Sequence, residues 1–326
     1  GPDAMRVAAS GARRSARARV RDRRPVAVLA LLLASGLALS PLASAQTADF
    51  SESWAAFQAM KARVGSKPAA RTTLPDWSGI WTGSPDYLPY YRLGTDGALT
   101  VRNGPRNPTD SSRQAAPLTP EYRAKTVQVL KDRARGIDWD YVSNCIPAGF
   151  PRWVVSHYLK EFAVTRDLVW MINEEQSEVR RVYTDGRGHT PRDEAYPLYE
   201  GDSVGFWDGD TLVVHTVDNK EGTWDRSGAA YSDQVNTIER IRKVSADVIE
   251  DQMTVYDALA LTRPWPVTFR FTRVKEPADL RVRMYSCNEN NNVVQDDKGN
   301  THHVLPGEAG FKDPGQRTQA PAEAGK

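Results

Sequence analysis

Two of the five histidines stand where proton-transfer chemistry is easiest to build. His189 follows the turn Asp185-Gly186-Arg187-Gly188, whose two glycines let the backbone fold tightly enough for Asp185 and His189 to approach. Glu239, in Thr237-Ile238-Glu239-Arg240-Ile241, shares a strand face with Ile241, and Asp251 and Asp257 share faces with Ile249, Met253 and Val255. An apolar setting favours the protonated form of a carboxyl group. One group that protonates a leaving oxygen and one that activates water suffice for hydrolysis, so His189, Asp185 and Glu239 are the candidate catalytic residues. Each also has a plainer reading. His189 is then a solvated turn histidine, and Glu239 a structural partner of Arg240, Arg242 or Arg270.

His215 lies mid-strand in the apolar run Leu212-Val213-Val214-His215, where a charged imidazole is costly without a partner. It is either a satisfied structural histidine or a binding residue. Tyr231-Ser232-Asp233 follows a glycine-containing loop and offers hydrogen bonds, so Tyr231 and Asp233 join His215 as candidate binding residues. Trp207, Trp224 and Trp265 either stack on an aromatic ligand or pack in the core, with Trp207 and Trp265 the stronger ligand candidates. Asp208 serves a turn, and Glu289-Asn290-Asn291 reads as a polar turn. His302-His303 has no cysteine or acid at metal spacing beside it, so no metal site is assigned. The chain carries no Gly-x-Ser-x-Gly elbow, His-Glu-x-x-His pair, P-loop or dinucleotide fingerprint.

These residues need a β framework to position them. Val204 to Trp207 and Thr211 to Val217 flank Asp208-Gly209, which predicts a hairpin with a type I′ turn. Its second strand places Val213, His215 and Val217 on one face and Val214 and Thr216 on the other. Further strands are predicted at Phe162 to Thr165, Leu168 to Asn173, Val179 to Thr184, Val235 to Val244, Val248 to Tyr256, Val267 to Val274 and Leu280 to Tyr285. A first strand is expected in Asp76 to Trp81. Many short antiparallel strands at close spacing predict a barrel rather than a sandwich, because closure removes exposed edges. Helices are predicted from Phe50 to Val64, with Ser51 or Ser53 as N-cap, and from Thr119 to about Arg135. Ser84 to Pro117 reads as a long surface excursion, and Gly307 onward as a flexible tail.

The N-terminus reads as an address rather than as fold. Gly1 to Ala4 precede the first Met like a tag remnant, and an arginine-rich stretch, an apolar run from Val26 to Leu39 and Ala43-Ser44-Ala45 follow. That pattern predicts a signal peptide cleaved near Ala45, by the general or the twin-arginine route, and a periplasmic or secreted product. The apolar run is too short for a stable membrane anchor. The leader holds eight arginines against two aspartates, so its removal turns the net charge from +2 to −4. A net-negative chain argues against nucleic-acid binding. Cys145 and Cys287 are the only cysteines, and in an exported chain they are expected to pair. The expected organisation is leader 1–45, helices and loops 46–152, barrel 153–292 and tail 293–326.

Six phrases in order carry a resemblance: Cys145 to Arg152, Arg181 to His189, Gly201 to Thr216, Tyr231-Ser232-Asp233 with Glu239-Arg240, Thr262 to Trp265, and Cys287 to Asn291. Over roughly Trp77 to Asn292 the chain resembles a large bacterial family of exported proteins. That family looks like a calycin-type, lipocalin-like β-barrel, and is similar to the paired subunits of a hydrolytic β-aryl etherase. The resemblance implies splitting of β-O-4 ether bonds in lignin-derived aromatic dimers with water, no redox cofactor, and a related partner chain in a heterodimer. Two departures bear on the pocket: relatives carry Asp at the position of His215 and His at that of Tyr231. The rival expectations are a carrier of a small aromatic or apolar ligand, and an assembly protein that uses the Ser84 to Pro117 loop as its contact surface.

Overall fold

The structure is a computed structural model that describes residues 49–65, 74–83, 90–102, 115–135, 140, 142, 145–225, 228–285, 287, 292–295 and 301–304. All of them belong to one compact unit, Thr47–Lys326. The expected leader and the end of the tail lie outside the described residues, as do Glu289 to Asn291 and most of the Gly65 to Pro75 linker.

In chain order the strands are β1 (Ile80–Gly83), β2 (Tyr90–Leu93), β3 (Leu99–Arg102), β4 (Leu159–Val164), β5 (Leu168–Asn173), β6 (Glu178–Tyr183), β7 (Asp202–Asp208) and β8 (Thr211–Val217). They continue with β9 (Gly222–Thr223), β10 (Ala230–Tyr231), β11 (Asn236–Ser245), β12 (Val248–Tyr256), β13 (Trp265–Val274), β14 (Asn292–Gln295) and β15 (Thr301–Val304). Nine of them close a barrel in the order β1-β13-β12-β11-β8-β7-β6-β5-β4, with β4 back against β1. The expected mainly β barrel is therefore the fold, and nine closed strands are consistent with a calycin-like one. Every barrel pair is antiparallel except β6 and β7, which run parallel with Val182 opposite Ser203 and Tyr183 opposite Val204. The chain between them, residues 184–201, has to travel back outside the wall before re-entering it.

Alternation decides what each wall residue meets. Leu212, Val214, Ile241, Ile249, Met253, Phe269 and Phe271 face inward with Trp77, Trp81, Phe162 and Met171 in one core. On the outer face Val204, Val213 and Ile238 are buried instead under Phe57 of α1 (Ser51–Val64). This is why every residue of β8 is buried: it has core on one side and a helix on the other. α2 (Pro120–Ala134) starts after Thr119 as expected, but the Thr119 hydroxyl donates to the Leu259 carbonyl rather than capping the helix.

Several expectations are corrected. The hairpin loop is Gly209-Asp210, with Asp208 paired to Thr211 and only Gly209 at positive φ (63°), so glycine takes the first turn position as in a type II′ turn. Leu280 to Tyr285 forms no strand. It runs over the barrel end instead, Arg283 N–H donating to Glu174 (3.2 Å) and Tyr285 N–H to the Ser177 hydroxyl (3.0 Å). Neither Ser51 nor Ser53 caps α1: Phe50 is the N-cap, and Asp49 accepts from the Ser51 N–H at 2.9 Å. Within the expected surface excursion β2 pairs with β3, and within the expected tail β14 pairs with β15.

Cys145 and Cys287 form the expected disulfide, the mark of an oxidising compartment. Among the described residues no helix is long and apolar enough to cross a membrane.

Candidate functional site

The proposed catalytic trio does not converge. Asp185 is held by Arg187, which donates from both its backbone and its guanidinium, and that hydrogen bonding keeps the carboxyl below its ordinary value. Glu239 is sealed inside the barrel on β11. His189 lies outside the wall, on the crossover between β6 and β7.

Inside, the unforeseen partner of Glu239 is Arg180 of β6. Its guanidinium grips both Glu239 oxygens, and also donates to the Thr216 hydroxyl at 2.7 Å and the Ser203 hydroxyl at 3.1 Å. The Phe150 ring covers it at 3.7 Å. Asp251, on the adjoining strand, is pushed well above the ordinary carboxylate range by burial and then by the Glu239 charge. Arg180 shares parity with Val182 in β6, a signal in the sequence that it faces inward.

A second buried polar layer closes the barrel end where β5 stops and β6 begins. Lys160 donates to the carbonyls of Ser156 (2.6 Å) and Tyr158 (3.2 Å), and burial lowers it to about 7. Glu178 accepts from the Gly149 N–H at 2.7 Å and the Asn173 amide at 3.1 Å, yet burial outweighs these bonds and raises it to about 7. Both Glu200 carboxyl oxygens are buried, and desolvation followed by the Glu178 charge hold that group well above its usual value. Displaced groups gathered in this way mark functional regions more often than inert ones.

Directly over this layer lies a cleft of about 420 Å³, walled by Ile146 to Gly149 on one side and by Pro197, Tyr199 and Lys220 to Gly222 on the other, with Tyr231 and Asp233 completing it. Gly149 is at φ 70°, and an added Cβ would sit 2.8 Å from the Tyr199 carbonyl, so only glycine lets the two walls meet. The Phe150 N–H donates to that carbonyl at 2.7 Å. The structure thus brings together two of the expected binding residues, Tyr231 and Asp233. It does not bring Trp207 or Trp265 to them: Trp207 packs against Trp77 and Trp265 against Trp224, in the core.

His215 is also away from the cleft, on the outer face of β8 beneath α1. Its Nδ1 lies 2.7 Å from His189 Nε2 and its Nε2 lies 2.8 Å from the Ser53 hydroxyl. His189 Nδ1 faces Asp202 at 3.4 Å. Burial pushes Asp202 up, but the facing His189 imidazole and the hydrogen bond from the Thr190 N–H outweigh it and hold the carboxyl below its ordinary value. Burial, then repulsion from His189, lower His215 to about 3. Ser53 and Asp202 had no distinguishing motif, since their meeting depends on which strand α1 covers.

A pH dependence follows from His215. Folded, it stays neutral down to about pH 3, whereas unfolded it takes up a proton near 6.5, so stability is complete above 6.5 and falls as pH drops below it. The loss is roughly 2 to 3 kcal/mol between pH 6.5 and 4.5, at about 1.4 kcal/mol per unit. Glu178 acts in the opposite sense between about 4.5 and 7, so the test is a difference: urea unfolding of the parent and of His215→Phe across this range. Parallel stability curves would refute it.

Among the described residues no three His, Cys, Asp or Glu side chains gather as a metal would need. Compared with protein families, curated proteins and solved structures, the chain matches none.

Proposed function

We propose that the protein is an exported hydrolase of small aromatic ethers, acting on β-O-4 linkages of lignin-derived dimers bound in the barrel-end cleft. The observation that carries this reading is the cleft itself. It has the size of a small-molecule site, an apolar rim in Ile146, Pro147 and Tyr199, and hydrogen-bonding groups in Tyr231 and Asp233, set over the buried carboxyls of Glu178 and Glu200, which burial raises above their ordinary values. The resemblance to a hydrolytic etherase supports the same chemistry. Water adds across the ether bond: Asp233 takes a proton from water, whose oxygen bonds to carbon as the carbon–oxygen bond breaks. The Tyr231 hydroxyl gives a proton to the departing phenol oxygen.

The test is incubation of the protein, alone and with a related partner chain, with an aryl ether dimer in ¹⁸O-labelled water. The expected result is phenol release with the label in the alcohol product, and a loss of roughly 100-fold or more in Asp233→Asn and Tyr231→Phe. Unchanged turnover in both variants rules out the assignment. The second reading is a carrier that binds an aromatic ligand without altering it. It is favoured by the separation of Asp185, His189 and Glu239, and predicts quenching of tryptophan fluorescence with no product.

A further inference from the structure

On the outer face of the barrel wall, away from the cleft, Ser53 Oγ, both His215 nitrogens and His189 Nε2 form a hydrogen-bonded chain, and His189 Nδ1 faces Asp202 Oδ2 at 3.4 Å. A single set of tautomers satisfies both hydrogen bonds. Ser53 donates to His215 and His215 donates from Nδ1 to His189 Nε2, which leaves the His189 proton on Nδ1, the atom that faces Asp202. Three separate elements supply them: α1, β8, and the segment that leads through His189 into β7. Trp54 lies against both imidazoles, its ring centroid 5.2 Å from His189 and 5.3 Å from His215.

Ser53 is 1% exposed and stands at the wall of a cavity. It lines a cleft of about 310 Å³ together with Asp49, Glu52, Tyr256, Arg263 and Pro264. It is the third residue of α1, in the first turn, where backbone N–H groups have no acceptor within the helix and point toward the N-terminal end. A hydroxyl joined to a base, and a base that faces an orienting carboxylate, at the amino end of a helix are parts of an acyl-transfer site.

We propose that Ser53 is a nucleophile for short-chain carboxylic esters, with His215 and His189 as a two-imidazole base and Asp202 as its anchor. The Ser53 oxygen attacks the ester carbonyl while its proton passes to His215 Nε2, and the Nδ1 proton of His215 passes to His189 Nε2. The tetrahedral intermediate collapses, the ester carbon–oxygen bond breaks, and the alcohol leaves with the proton returned along the same path. Water then releases the acid by the reverse sequence. The doubled imidazole has a physical purpose. His215 is too dry to hold a positive charge, so the charge comes to rest on His189, which is partly exposed and faces a carboxylate. The same Ser53 oxygen lies 3.1 Å from the Phe50 carbonyl, an alternative acceptor from which the hydrogen turns in the reactive state.

The experiment is reaction of the unaltered protein with a fluorophosphonate probe, followed by peptide mapping, alongside hydrolysis of p-nitrophenyl acetate. The expected result is a single adduct on Ser53, lost in Ser53→Ala, with labelling and ester hydrolysis at least 100-fold slower in Asp202→Asn. No adduct, or an adduct on another residue, overturns the proposal, and mapping on the parent needs no variant to fold. The substrate holds no ether bond, so failure here leaves the ether hydrolysis untouched, and failure there leaves this site untouched.

Discussion

Arg180→Met is expected to lower the unfolding free energy by about 3 to 5 kcal/mol at neutral pH, the usual cost of removing one partner from a buried ion pair. The guanidinium donates to Glu239, Thr216 and Ser203 at once and is covered by Phe150, so no water replaces it. Two carboxyl groups, Glu239 and Asp251, then share a dry interior with no cation between them. The deficit should shrink as pH falls, because a proton on the stranded carboxylate removes the buried charge. Replacing Glu239 together with Arg180, as Arg180→Met with Glu239→Leu, should restore much of the loss, since methionine and leucine leave no ion unpaired. Urea denaturation of the two variants at pH 5 and pH 8 checks this. A deficit that is the same in the single and double variants at both pH values would show that lost packing, not charge, sets it.

Reduction of Cys145–Cys287, or its replacement by alanines, should be comparably damaging, at about 4 to 5 kcal/mol. The two cysteines are 142 residues apart, and the chain-entropy cost of closing so long a loop is removed from folding by the bond. The bond also holds Cys145 beside Ile146 to Gly149, one wall of the cleft, so loss of aromatic binding should accompany loss of stability. Unfolding in urea with and without a reducing agent measures the first effect, and mass spectrometry verifies the thiols. An unchanged midpoint with both thiols free would overturn the argument. Unlike the Arg180 deficit, this one should not vary with pH.

The wall of the barrel was legible in the sequence because its cause is local. Leu168 to Asn173 and Val248 to Tyr256 were readable to the residue, since alternation and turn residues bound them on both sides. Leu280 to Tyr285 has the composition of a strand and no edge left to join, as β1 already lies between β13 and β4. The site was less legible, because contact between distant segments is set by closure. His189 and His215 were visible as unusual residues, but their meeting requires the crossover to lie against β8. Lys160, Glu178, Arg180 and Glu200 look like surface charges in short polar stretches, and only their parity against Phe162 and Val182 hints that the first three face inward. Tyr231 and Asp233 line one cleft as near neighbours in sequence, whereas Trp207 and Trp265 pack in the core, because a tryptophan suits a core as well as a ligand.

The lone same-direction joint between β6 and β7 is an arithmetical necessity. Around a ring with an odd number of members, up and down cannot alternate without one clash, so nine strands close only if some neighbouring pair points the same way. Eight or ten would need no such seam, and no chain returning along the outside. The eighteen-residue return from Thr184 to Gly201 holds His189 and Glu200, so the oddness of the strand count made room on this scaffold for groups that a regular up-and-down barrel has no place to put.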